Sequence, residues 1–371
     1  MTDENATKSI PFIGTAITRR TFAKSLVAGA LMTPFVNRYV TSASAQGTGV
    51  VNFANYGGSY GDAMREVWFE PFEKETGIKV NAGPGASLAL AKLQLQNPAG
   101  AEWDIIDLTN GGYINAVKQD ILLPLDKNLV DTSQLLPNYT GTHGFCYVTF
   151  VLAAGWNKTS VSQGPQNWAE FWDRSKFPGK RSLGVVNTAG DAIEVAMLAD
   201  GVAPKNMYPI DVDRAFKSLE KLGRDNIVWT QSLQEPVQRI GSNETPLGAI
   251  YTGRAIMANR NGANIGFSVK QGIVGGDSLG VISNSRNKKE AFRLLNFMAT
   301  RGDLAAKFAA ITSYGMPHKD LESMLPKEAE DVRVALPTNP DLQKNGLISN
   351  DAWWADNLAS VVARYQEWQL G

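Results

Sequence analysis

One stretch near the start of the chain constrains the fold more than any other. Val50-Val51-Asn52-Phe53-Ala54-Asn55-Tyr56 has the composition of a strand, and Gly57-Gly58-Ser59-Tyr60-Gly61 follows it as a turn. A helix is expected from about Asp62 to Thr76, with Met64, Val67, Trp68, Phe69 and Phe72 as its apolar face and Gly77 as its stop. Ile78-Lys79-Val80 then opens a second strand. Strand, helix, strand in this order demands a crossover between parallel strands, so an α/β architecture is expected.

Later segments repeat the pattern. Trp103–Asn110 reads as a buried strand ending in the polar residues Thr109 and Asn110, and Gly144–Trp156 as the longest apolar strand. Helices are expected over Leu88–Leu95, Asp191–Asp200, Asp213–Leu222, Asn287–Thr300 and Asp351–Trp368. A chain of 371 residues exceeds the usual span of one hydrophobic core, so two lobes are expected.

Two glycine-bounded apolar runs place charged residues at unusual points. Leu247–Arg254 ends in Gly253-Arg254, and Gly272–Leu279 carries Asp277 just past Gly275-Gly276. Polar side chains at strand tips line clefts more often than cores. Arg254 and Asp277 are therefore candidates for a positive and a negative group facing a small ligand, the competing reading being a structural salt bridge.

Several function classes are excluded. Basic and acidic residues number 36 each, which gives no electrostatic footprint for nucleic acid. The single cysteine, Cys146, precludes an intrachain disulfide, and two histidines cannot build a three-histidine zinc site. No cofactor motif occurs, and no phosphate-binding Gly-x-x-x-x-Gly-Lys-Ser/Thr sequence. Gly57-x-Ser59-x-Gly61 does match a nucleophile elbow between strand and helix, so a secreted serine hydrolase using Ser59, with His318 completing the order, is the alternative of another class.

Residues 1–45 read as an address. Thr18-Arg19-Arg20-Thr21-Phe22-Ala23-Lys24 has the twin-arginine pattern, followed by a weakly apolar stretch, Ser25–Val36, and the small-x-small site Ala43-Ser44-Ala45. Export to the periplasm is expected.

Pro71-Phe72-Glu73-Lys74-Glu75-Thr76-Gly77-Ile78-Lys79-Val80 resembles the helix-to-strand signature of extracellular solute-binding proteins of ABC importers. Asn167–Trp172 with Phe177-Pro178-Gly179-Lys180, Gly190–Val195, Gly276-Asp277-Ser278-Leu279, Asn287–Met298 and Ser313–Pro317 are similar to the spermidine/putrescine-binding group, in the same order. The resemblance implies a type II periplasmic-binding fold with two α/β lobes, each a mixed sheet flanked by helices, joined by two crossover hinge strands near Gly155-Trp156 and Gly275-Gly276. On that pattern residues 46–155 with 278–321 form the N-terminal lobe, and 156–277 with 322–371 the C-terminal lobe. It also implies capture of a small-molecule amine or zwitterion by a monomer that delivers it to ABC permease subunits in the inner membrane.

Within the resemblance, Asp191, Glu194 and Asp277 stand at carboxylate positions of the ligand cage, Tyr56 and Tyr251 at aromatic ones, and Tyr314 is a further aromatic candidate. Two departures alter the ligand. Gly275 replaces the cage tryptophan, and Arg254 stands where polyamine binders carry a small residue. A guanidinium repels a diamine and clamps a carboxylate in bidentate fashion. The expected ligand is thus an ω-amino acid such as 4-aminobutyrate, with a polyamine as the alternative and neutralisation of Asp191 or Glu194 as the competing role for Arg254. Tyr56, Tyr60 and Tyr251 would pack its methylenes, Thr109 and Asn110 would border it, and the turn from Gly57 through Ser59 to Tyr60 would donate amides.

Overall fold

Parallel pairing of the first two strands follows directly from the opening segment. β1 (Val50–Asn55) and β2 (Lys79–Pro84) align with Val50 opposite Lys79. The computed structural model describes residues 49–97, 99–185 and 189–370, with the side chains of 185 and 189–191 outside that set. The expected export signal over 1–45 therefore lies outside the described residues.

The connecting helix starts earlier than expected, at Gly58, and runs as Gly58–Met64, a π-helical turn Arg65–Phe69, and Glu70–Thr76. It ends as anticipated on Gly77, whose φ of 72° is left-handed and suits glycine. Val67, Trp68, Phe69 and Phe72 are almost wholly buried. Each such large apolar side chain contributes roughly 1.5–3 kcal/mol to folding, which fixes this helix on the sheet.

The remaining strands are β3 (Ile105–Thr109), β4 (Gly144–Asn157), β5 (Arg181–Val185), β6 (Ile227–Thr230), β7 (Leu247–Tyr251), β8 (Ile265–Val281) and β9 (Leu347–Ile348). They form one hydrogen-bonded mixed sheet in the order β2-β1-β3-β8-β4-β7-β5-β6, with β9 beside β8. Parallel pairs lie toward the two ends, and the long central strands β4 and β8 run antiparallel to each other.

Two principal cores occupy the two halves. The first gathers Phe53, Trp68, Phe145, Leu279 and Phe308, and the second Trp168, Phe171, Leu219, Leu247 and Tyr365. On β4, Phe145, Tyr147 and Val148 join the first core, while Leu152, Ala154 and Trp156 join the second. The change of core thus falls at Thr149-Phe150, opposite Gly276 and Gly275, rather than at Gly155-Trp156. Leu325, Ala329, Val332 and Leu336 also pack in the first core, so a boundary after residue 321 does not follow the packing.

Two local expectations are corrected. Arg254 is not a strand tip: β7 ends at Tyr251 and a helix, Thr252–Arg260, begins at once. Asp277 is not at the end of a short run either, because β8 continues through it to Val281.

Candidate functional site

The site lies where the central strands pass from one core to the other. Tyr251 is the N-cap of the helix Thr252–Arg260, which brings Arg254 into its first turn. A Cβ at Gly253 would come within 2.8 Å of the Ser313 carbonyl oxygen, so the absence of a side chain there lets the helix start press against the Ser313-Tyr314 turn. Arg254 Nη1 donates to Gln234 Oε1 at 3.1 Å, and its buried Nε has no partner among the described residues. Among those residues Arg254 also makes no ion pair.

Asp277 is held opposite Thr109 on β3 and Val148 on β4 by strand register. No described side chain or backbone group hydrogen-bonds its carboxylate. Burial, reinforced by the nearby Asp351 carboxylate, pushes the Asp277 carboxyl up to about 7. Arg254 and Asp277 line the same cavity, of about 430 Å³, without neutralising each other.

Aromatic walls close this cavity. Tyr56 follows β1 directly and Tyr60 lies in the first turn of the helix Gly58–Met64, with ring centroids 6.1 Å apart, and Tyr60 meets Tyr314 edge-on at 6.3 Å. Tyr251 packs edge-on against Phe150 at 5.4 Å. Behind Tyr60 the tyrosine hydroxyls of residues 60 and 147 are hydrogen-bonded, and Tyr147 donates to Asp107 Oδ2 at 2.5 Å. Burial, reinforced by the Asp277 carboxylate, drives the Asp107 carboxyl well above the usual carboxylate range.

The other expected site residues divide. Thr109 borders the cavity while its hydroxyl caps the helix Asn110–Lys118 by accepting from the Gly112 amide at 3.3 Å. Asn110 and Glu194 lie in an adjoining chamber of about 240 Å³ that shares Thr109, Phe150 and Tyr251 with the first. Glu194 is buried, and its Oε1 accepts from Trp354 Nε1 at 2.9 Å, Ser349 Oγ at 3.0 Å and the Tyr208 hydroxyl, while no ion pair is made among the described residues. Arg254 therefore does not neutralise it. The side chain of Asp191 lies outside the described residues.

The glycine turn does not serve as expected. Gly57 adopts φ 69°, its amide donates to Asn55 Oδ1 at 2.7 Å, and its carbonyl accepts from Gly61, so that amide is already used. Ser59 is exposed and does not line the cavity. His318 is buried in contact with Gly302, and its Nδ1 accepts from the Asp320 amide. No hydrogen bond links Ser59 to a histidine among the described residues.

Phe150, Gln234 and Asp351 escape a reading of the sequence. Only Phe150 had a signal: Gly275 removes a ring from β8, and its cross-strand partner is Phe150. A Cβ at Gly275 would sit 2.4 Å from the Phe150 ring, so Phe150 fills the space left vacant there.

A family model described as bacterial extracellular solute-binding protein matches residues 68–333. The gamma-aminobutyric acid-binding protein of Pseudomonas aeruginosa is 27% identical over 88% of this chain and 92% of its own length. The spermidine/putrescine-binding periplasmic protein of Escherichia coli is 26% identical over 81% of this chain and 87% of its own. The solved structure of a GABA receptor superposes with a TM-score of 0.77 at 29% identity, covering 86% of this chain and 97% of that one.

Proposed function

The chain belongs to the bacterial extracellular solute-binding protein family, and from that premise we propose that it captures a small zwitterion between Arg254 and Asp277. It is the substrate-binding component of an ABC transporter, acts in the periplasm and binds rather than transforms its solute. The preferred ligand is an ω-amino acid of the 4-aminobutyrate type.

One observation carries this reading: a guanidinium and a carboxylate, neither paired with an opposite charge among the described residues, line one cavity. Each uncompensated buried charge is unfavourable alone, and a zwitterion supplies both missing partners. Arg254 offers a bidentate grip on a carboxylate, Asp277 a charge-assisted hydrogen bond to an ammonium, and Tyr56, Tyr60 and Phe150 apolar surface for the methylenes between.

Ligand bound across the two cores favours the arrangement in which both halves touch it, and that arrangement is the one a permease recognises. The protein acts as a monomer. Its export through the twin-arginine route rests on Arg19 and Arg20, and replacing both with lysine should leave the protein in the cytoplasm, as measured by fractionation.

Polyamine is the second reading, favoured by the carboxylates near the cavity and by the relative that binds spermidine and putrescine. Calorimetric titration with 4-aminobutyrate, putrescine and spermidine separates the two. The zwitterion reading expects heat with 4-aminobutyrate that disappears in Arg254→Ala. Binding of putrescine or spermidine alone, undiminished in that variant, overturns it.

A further inference from the structure

The chamber beside the ligand cavity holds a charge that a simple ω-amino acid leaves unused. Asp351 opens the helix Asp351–Leu370 and lines the 240 Å³ chamber. Glu194, in the same chamber, is occupied by three neutral donors, whereas Asp351 has only the Asn110 amide group near it. Asn110 Oδ1 is itself taken by Ser278 Oγ at 2.6 Å, which turns the amide nitrogen toward Asp351. Thr109, Phe150 and Tyr251 border both spaces, so the two lie side by side, and the Asp351 carboxylate is close enough to act on Asp277.

From this adjacency we infer that Asp351 is a specificity-determining residue and that the preferred solute is a monocarboxylate bearing two cationic nitrogens. Its carboxylate meets Arg254, its first nitrogen Asp277 and its terminal nitrogen Asp351. The inference rests on the zwitterion reading above and extends it by one charge. The charges point the same way: Asp277 and Asp351, like Glu194 beside them, have no cation paired with them among the described residues, whereas Arg254 is the one guanidinium lining this space, so a ligand with more positive than negative groups is favoured. Burial also pushes the carboxyls of both Asp277 and Asp351 up to about 7, the cost that a second cation would relieve.

Titration calorimetry of the mature protein with 4-aminobutyrate and with N-(3-aminopropyl)-4-aminobutyrate tests this without a variant. The longer compound should bind at least about tenfold more tightly, the gain of one charge-assisted contact. Asp351→Asn, shown to be folded by thermal unfolding, should abolish that gain and leave 4-aminobutyrate within about twofold. Equal or weaker binding of the longer compound overturns the inference, as does an Asp351→Asn variant that keeps the gain or weakens both ligands alike. Arg254→Ala distinguishes the two levels. If it removes both ligands while the longer one shows no advantage, only the role of Asp351 falls; if it removes neither, the zwitterion reading falls as well.

Discussion

Two arginines in this protein share a burial problem and solve it differently. Arg181, at the start of β5, is fully buried, and its guanidinium donates to the carbonyls of Phe171, Asp173, Phe177 and Gly179. Burial pulls its pKa down to about 10, and the ring of carbonyls holds the charge with no carboxylate in direct ion-pair contact among the described residues. Arg254, half-buried in the cavity wall, has one neutral amide acceptor and a buried Nε with none. A charge that serves the fold is satisfied by the chain itself. A charge that serves a ligand is left incomplete until the ligand arrives.

Removing each side chain should expose that contrast. Arg181→Met leaves four carbonyls without their donor and should lower stability by about 3–5 kcal/mol, read as a shifted urea midpoint. Arg254→Ala should change stability by less than about 1 kcal/mol and yet weaken 4-aminobutyrate by about 100-fold or more in calorimetry. If Arg254→Ala proves the more destabilising of the two, the distinction fails.

Asp277 sharpens the comparison through pH. Its carboxyl, like that of Asp351, keeps its proton in the folded protein up to about 7, whereas the unfolded chain loses it near about pH 4. The folded state therefore binds more protons in that interval, and stability of the ligand-free protein should fall as pH rises from about 4 through about 7. Asp277→Asn should flatten this slope in thermal scans and weaken ammonium ligands by about 10-fold to 100-fold. The smallest effect expected is at Ser59, which is exposed outside the cavity: Ser59→Ala should leave both affinity and stability unchanged, and a fluorophosphonate should not label the wild type.

Element types were largely legible because periodicity reports burial directly. The helix Lys288–Thr300, which buries Ala291, Leu294, Leu295 and Met298, and the strand beginning at Gly144 fall where the apolar pattern puts them. The charges at 254 and 277 were legible for the same reason, as polar residues interrupting apolar runs. Partnership was not legible. That Glu194 Oε1 is held by Trp354, Ser349 and Tyr208 depends on contacts between residues up to 160 positions apart, which no local pattern encodes. The Gly57 turn misled for a related reason: glycine signals backbone freedom, and here the positive φ serves a bond to Asn55 rather than an open amide. The apolar run Leu247–Tyr251 continues by pattern to Arg254 and so reads as one strand, whereas the tight approach to Ser313 needs Gly253 inside a helix.

The pairing of Phe150 with Gly275 has a consequence for how such pockets diversify. Their shared space admits a single ring, so a tryptophan at 275 collides with Phe150 unless the latter shrinks in the same step. Moving the aromatic plate from one ribbon to its neighbour therefore takes paired exchange, and either change made singly passes through a crowded pocket or a hollow one.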